Sequence, residues 1–250
     1  PVAALVAAVG HRAVAALAAA VVRRVAAAPL AAGRERIMQG KKLISPQDHK
    51  RITAAIRRAE EGTSGEIYAV LARSSDDYFF AAGFIATCGI LIAAVLVAFL
   101  AHWYWFDIRL PVFGLAILAA FVAAMLVLWF FPAIRIAIVP HRIRYKRAHL
   151  NAVQQFLARN VHKTVNRTGI LLFVSLAEHY AEVIADAGIN QHVKQEEWNT
   201  IVGTLTQHAS RREVAEGFVV AIDQAGTLLA RHFPAGSENL NELDDHLIEL

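Results

Sequence analysis

The sequence predicts an α/β protein whose small mixed sheet, built from a β-α-β crossover and a β-hairpin flanked by helices, is interrupted by a two-helix transmembrane hairpin. Three observations predict it. Short runs at 65–73 and 169–176 have the β-branched and aromatic character of buried strands. Amphipathic helical patterns flank them. Between them lie two long stretches without a single charge.

Composition supports a chain partly in lipid. Of its 250 residues 56% are hydrophobic and only 18% charged, a low charged fraction for a water-soluble protein of this length. Cys88 is the one cysteine, so neither an intramolecular disulfide nor a cysteine-based metal site can form. The net charge of +4 matters less than where the basic residues lie.

Residues 1–37 are rich in Ala and Arg and carry no acid before Glu35. Three readings stand for them: a targeting peptide, a helix lying on a membrane, or upstream sequence read through before a start at Met38 and so not native, which is the preferred one. The uninterrupted apolar run Ala13 to Val22 is too short to span a bilayer.

"SPQDHKRITAAIRRAEE" predicts a helix, with Ser45 as cap, Pro46 in the first position, and Ile52, Ala55, Ile56 and Ala59 as its apolar stripe. With the strand at 65–73 it makes up residues 41–80, the first part of the domain. Residues 81–131 then form the transmembrane hairpin, with spans at about 81–101 and 110–131, each close to the ~20 residues that cross a hydrocarbon core. Trp103, Tyr104 and Trp105 supply the interfacial aromatic belt at its turn.

Two spans return the chain to the side it left. Arg142, Arg144, Lys146 and Arg147 crowd the exit of the second span, whereas the turn carries Arg109 offset by Asp107. The positive-inside rule therefore predicts a multi-pass protein of a bacterial inner membrane, with the soluble domain and C-terminus in the cytoplasm. The same basic residues are expected to meet anionic lipid headgroups, and their position beside a span argues for the lipid bilayer and against nucleic acid as the partner.

Residues 142–235 complete the domain. A helix over 145–162 presents Leu150, Val153, Phe156 and Leu157; strands follow at 169–176 and 180–186; and two helices carry Trp198, Ile201, Val202 and Leu205, then Val214, Phe218, Ile222, Ala225 and Leu229, before Pro234 ends the last. Neither part covers its own strand, so the two are expected to combine: strands 65–73 and 169–176 parallel through a right-handed crossover, 180–186 antiparallel to its predecessor. The acidic tail 236–250 receives no role.

The stretches "TSGEIYAVLARSSDDYFF", "RTGILLFVSLAEHYAEVIADAGI", "VKQEEWNTIV", "EGFVVAIDQAGTLLARHFP" and "NELDDHLIEL" together resemble the membrane-bound bacterial branch of the TPM domain family, over residues 41–250. The resemblance implies an α/β domain with a small mixed sheet. It also implies that phosphatase activity and calcium binding, proposed for distant lumenal relatives, are chemistries to weigh here.

The candidate ligand-binding side chains are Asp76 and Asp77, Glu178 and His179, and Asp186. Parallel strands would gather the first four at one sheet edge, facing the bilayer, and leave Asp186 at the other. Carboxylates at strand ends hold hard cations such as Ca²⁺ or Mg²⁺ through oxygen, and α/β sheets bind ligands at the carboxyl ends of their strands. The plainer reading makes Asp76 and Asp77 a solvated turn into the membrane, Glu178 and His179 exposed hairpin residues, and Asp186 a strand cap. His162, His192, His208, His232 and His246 lack zinc spacing, and Walker, dinucleotide and nucleophile-elbow motifs are absent from the sequence. No catalytic residue is assigned. Two functions are carried forward: a membrane-anchored module that binds a protein partner or an ion at the cytoplasmic face, and, as the alternative, a Ca/Mg-dependent phosphatase acting on phosphomonoesters.

Overall fold

A computed structural model describes residues 43–107, 109–164, 167–235 and 245–250 of the chain. The Ala/Arg-rich segment 1–37 and most of the acidic tail lie outside the described residues.

Helix α1 (Pro46–Glu60) starts where Ser45 accepts a hydrogen bond from the Asp48 amide at 3.1 Å, and Pro46 occupies the first turn, where its missing N–H costs nothing. Ile52, Ala55 and Ile56 are buried as their spacing predicts. Strand β1 (Glu66–Ala72) follows, and every one of its residues is buried. A four-stranded mixed sheet forms in the order β3-β2-β1-β4. Strand β2 (Gly169–Ser175) pairs parallel with β1, Glu66 opposite Gly169 through Ala72 opposite Ser175. Strand β3 (Tyr180–Ala185) returns antiparallel on the outer side of β2.

Strand alternation divides the core into two layers. Ile67, Ala69 and Leu71 join Ile170, Leu172 and Val174 against α1, α7 (Gln195–Ser210) and α8 (Val214–His232). Tyr68, Val70, Ala72, Leu171 and Phe173 face the other way, against Ala152 and Phe156 of α5 (His141–Ala158). Two inner strands covered on both faces read as continuous apolar runs, which is why 65–73 and 169–176 are visible in the sequence.

Between β1 and β2 the chain builds α2 (Phe79–Trp103) and α3 (Leu110–Phe130), both long and apolar enough to cross a membrane. A soluble core helix would be buried, but Phe84, Ile92, Phe99, Leu118 and Leu126 stand exposed along them. A short helix α4 (Pro132–Ile138), not anticipated from the sequence, separates α3 from α5. Pro132 cannot continue the α3 ladder, and Arg135 instead caps its end, donating from Nε to the Leu128 carbonyl at 2.5 Å and from a terminal nitrogen to that of Trp129 at 2.9 Å.

One expectation needs correction, and two elements are added. Helix α5 begins and ends about one turn earlier than 145–162; it buries Phe156 as expected, but with Ala148 and Ala152, while Leu150 and Leu157 are 43% and 53% exposed. Ala148 and Ala152 let the helix lie close on the sheet, so the i, i+4 row they form with Phe156 prevails over the leucines. The end of the tail is structural: strand β4 (Ile248–Glu249) pairs parallel with β1 and caps the sheet edge. A four-residue helix α6 (Ala187–Asn190) lies in the stretch from β3 to α7, where the sequence pattern is silent.

Candidate functional site at the strand-to-hairpin junction

The site is built where β1 and β2 end together. The Leu176 amide donates to the Ala72 carbonyl and the Ala177 amide to that of Arg73, both at 3.0 Å, so the ladder continues one step past the strands. The chain then turns, the His179 amide closing on the Leu176 carbonyl with His179 itself at φ 52°, in the left-handed region. That turn directs Glu178 inward.

Glu178 is only 1% exposed, which overturns the expectation of an exposed hairpin residue. Its Oε1 accepts from the Ser75 amide at 2.9 Å, the Ser74 hydroxyl at 3.2 Å and the Tyr78 phenol at 2.7 Å. Its Oε2 accepts from the Ser175 hydroxyl, which in turn accepts from Ser75 Oγ at 3.0 Å. Four donors satisfy the two Glu178 oxygens, so burial leaves neither acceptor unpaired. Burial first, and then the bond to Glu178, push the Tyr78 phenol well above its ordinary range, so the phenol remains a donor at all physiological pH values.

Tyr78 is the N-cap of α2, with φ 56° and 2% exposure. An aromatic residue in the left-handed region costs about 1–2 kcal/mol and persists only where its surroundings enforce it. Glu178 and a small apolar cluster do so: Tyr78 packs with Ala82, Leu128 and Val139 at the base of the helical pair. Beside it Phe79 meets Trp129 edge to face at 6.0 Å, and the Arg135 guanidinium lies 5.3 Å from the Phe79 ring centre.

The other predicted residues are engaged separately. Asp76 accepts from the Asp77 amide at 2.8 Å and forms an ion pair with Arg147 Nε of α5 at 3.3 Å. Asp77 accepts from the Phe79 amide at 3.0 Å, satisfying a free donor at the start of α2. The His179 side chain is exposed. Asp186 lies at the opposite edge, its amide bonded to the Gly169 carbonyl at 3.0 Å. It caps a helix rather than a strand: as N-cap of α6 it accepts from the Ala187 amide at 2.6 Å. Trp103, Tyr104 and Trp105 are exposed at the far end of α2. Arg142, Lys146 and Arg147 are exposed on the first turns of α5, while Arg144 is half-buried, a terminal nitrogen 2.9 Å from the His141 ring.

Among the described residues no group of three or more His, Cys, Asp or Glu side chains is arranged to hold a metal ion. Asp76, Asp77 and Glu178 share an edge but turn to different partners, so they do not fit Ca²⁺ or Mg²⁺ as a common ligand set. Sequence reasoning missed Ser74, Ser75, Tyr78 and Ser175. The available signal was "SSDDYFF", a run of short hydroxyl and acidic residues abutting a span, with a single phenol as its last polar group.

Fold and site together define a mixed α/β domain into which a pair of long apolar helices is inserted between two paired strands. No protein-family model matches the chain, and no curated protein does. Among solved structures it is similar to the NMR structure of the BA42 protein from the psychrophilic bacterium Bizionia argentinensis, at 18% identity and a TM-score of 0.53, covering 85% of this chain and 99% of that one. That similarity concerns the fold alone.

Proposed function

We propose that this protein is a membrane-anchored α/β module of the TPM-like type that presents its domain in a fixed pose at the cytoplasmic face of a bacterial inner membrane, for a protein partner or an ion. The observation that carries the reading is the Tyr78–Glu178 bond at 2.7 Å. It ties the residue that opens the first apolar helix to the turn after β2, where a flexible tether would have sufficed for mere attachment. Arg142, Lys146 and Arg147 at the foot of the second helix, against Arg109 and Asp107 at the turn, support the cytoplasmic orientation. Each exposed basic residue near anionic headgroups adds about 1 kcal/mol to the association. The parallel β1–β2 pair, with a helix between its strands, supports a right-handed crossover. A reporter fused after Leu250 tests the orientation: activity of a cytoplasm-only reporter is expected, and activity of a periplasm-only reporter overturns it.

The alternative is a metal-dependent phosphatase, which rests on the family resemblance. The engagement of Asp76 by Arg147, of Asp77 by a helix amide and of Glu178 by four donors weighs against it. Purified protein is expected to leave a generic phosphomonoester intact with Ca²⁺ or Mg²⁺. Turnover that disappears in the Asp76→Asn, Asp77→Asn double variant would reverse that preference.

A further inference from the structure

A cavity of about 660 Å³ opens at the same end of the sheet, on the face opposite α5. Leu43, Leu176 and Val214 supply apolar wall, and His179 and Arg212 supply its cationic and titratable groups. A volume of this size lined mainly by apolar side chains, with a few polar groups at fixed positions, is typical of a small-molecule site.

Three features define what it would hold. Among the described residues no carboxylate lines the cavity, whereas Arg212 does, so the polar end of a ligand meets positive charge. Both His179 and Arg212 stand on tight turns, at φ 52° and 65°, Arg212 closing the end of α7 where its amide donates to the Ala209 carbonyl at 3.1 Å, so the fold fixes their places at the cavity. Finally, Ser175 in the cavity wall bonds Ser75 at 3.0 Å, four residues before α2 begins, so the cavity lies beside the point where the chain turns into the apolar helices. Of the neighbouring acids, Glu178 is turned away from the cavity into its own donors, and Glu213, between Arg212 and Val214, lies 3.3 Å from the His208 ring.

We infer that this cavity binds a single-chain anionic amphiphile, its acyl chain against Leu43, Leu176 and Val214 and its carboxylate or phosphate head at Arg212 and His179. The inference rests on the membrane reading above. Two sources share this chemistry, a lysophospholipid drawn from the bilayer and a free fatty acid or alkyl phosphate from solution.

The test uses the full chain in nanodiscs of neutral phosphatidylcholine, after carbonate extraction has shown that it is membrane-integral; extraction into the soluble fraction would defeat the membrane reading and leave the binding measurement to stand alone. Dodecyl phosphate titrated by calorimetry is expected to bind saturably, with dodecanol at least tenfold weaker. Arg212→Gln, at an exposed position that the fold does not need, is expected to lower affinity about tenfold, the worth of one charge-assisted hydrogen bond. Ala209→Leu, which fills the cavity from α7, is expected to abolish binding. Photoactivatable lysophosphatidate preloaded in the nanodisc is expected to label the β2–β3 turn; labelling only by soluble alkyl phosphate would support the cavity and overturn the bilayer as source. Equal affinity for dodecanol and dodecyl phosphate, or binding unchanged in both variants, would overturn the proposal.

Discussion

The Tyr78 phenol donates to Glu178 Oε1 at 2.7 Å across 100 residues of sequence, so that one buried bond closes the whole helical insertion. If that bond fixes the pose of the domain, its two partners are energetically coupled. Tyr78→Phe should cost about 1–2 kcal/mol. Glu178→Ala, which strands the buried Tyr78 and Ser175 hydroxyls and the half-buried Ser75 amide, should cost about 3 kcal/mol or more. Thermal unfolding in detergent measures both, and the double variant should be less destabilised than the sum. Strict additivity would show that the pair does not act as a unit.

Glu60 makes stability fall as pH rises. It is 8% exposed and accepts from the Ile67 amide at 2.8 Å. Burial raises its pKa to about 8, the Ile67 bond opposes this, and Glu66 and Asp245 add to the rise. An acid whose folded pKa lies above its unfolded value binds more protons when folded, so its contribution is complete below the unfolded value of 4.5 and declines until pH is about 8. The slope approaches 1.4 kcal/mol per pH unit within that window. Glu60→Gln should flatten this part of the stability profile, gaining little near pH 5 and most near pH 8. A parallel profile for the variant would refute the assignment.

Glu249 works with the opposite sign. Burial would raise its pKa, but hydrogen bonds from the Leu43 amide, His49 and the Ile44 amide outweigh burial and hold it below the ordinary value. Its contribution is present above the unfolded value of 4.5 and is lost as pH falls through the lowered folded one. Removing residues 245–250 should also expose the β1 edge, because the Arg73 amide bonds the Leu250 carbonyl at 2.8 Å and the Leu250 amide bonds that of Leu71 at 2.9 Å. Hydrogen exchange should show faster exchange of the Arg73 amide in the truncated chain, with the Glu66 amide, bonded to Thr168, unchanged.

Two glycines should resist even alanine. A Cβ at Gly169 would meet the Val161 carbonyl oxygen at 2.2 Å, a backbone contact that cannot step aside, and at Gly226 it would meet Ala59 Cβ at 2.6 Å between α8 and α1. Each substitution should destabilise by about 1–3 kcal/mol. Gly203→Ala, which meets nothing within 4 Å, should be neutral or slightly stabilising, since alanine favours helix. Denaturant midpoints of the three variants provide the comparison.

Much of the fold was legible because it rests on local physics. Period and length mark the two apolar helices, the largely apolar β1 and β2 reveal strands covered on both faces, and Ser45 with Pro46 announces α1. The α5 face was misread because a stripe of leucines and a stripe of alanines both have helical spacing, and which one meets the sheet depends on how closely the helix can approach. Strand β4 was illegible because two paired residues, Val70 with Ile248 and Leu71 with Glu249, leave no periodic signal.

By itself the sequence determined that two long uncharged helices interrupt an α/β domain, and which strand ends lie at which edge, because apolar period and chain connectivity constrain both. Only the tertiary structure decided that Glu178 is the centre of its edge rather than a surface residue. A carboxylate at a hairpin turn is ordinarily solvated; here Ser74, Ser75, Tyr78 and Ser175 converge on it from two strand ends, and that convergence of donors in space makes its burial affordable. The same convergence separates Glu178 from Asp76 and Asp77, each of which the fold gives a different partner.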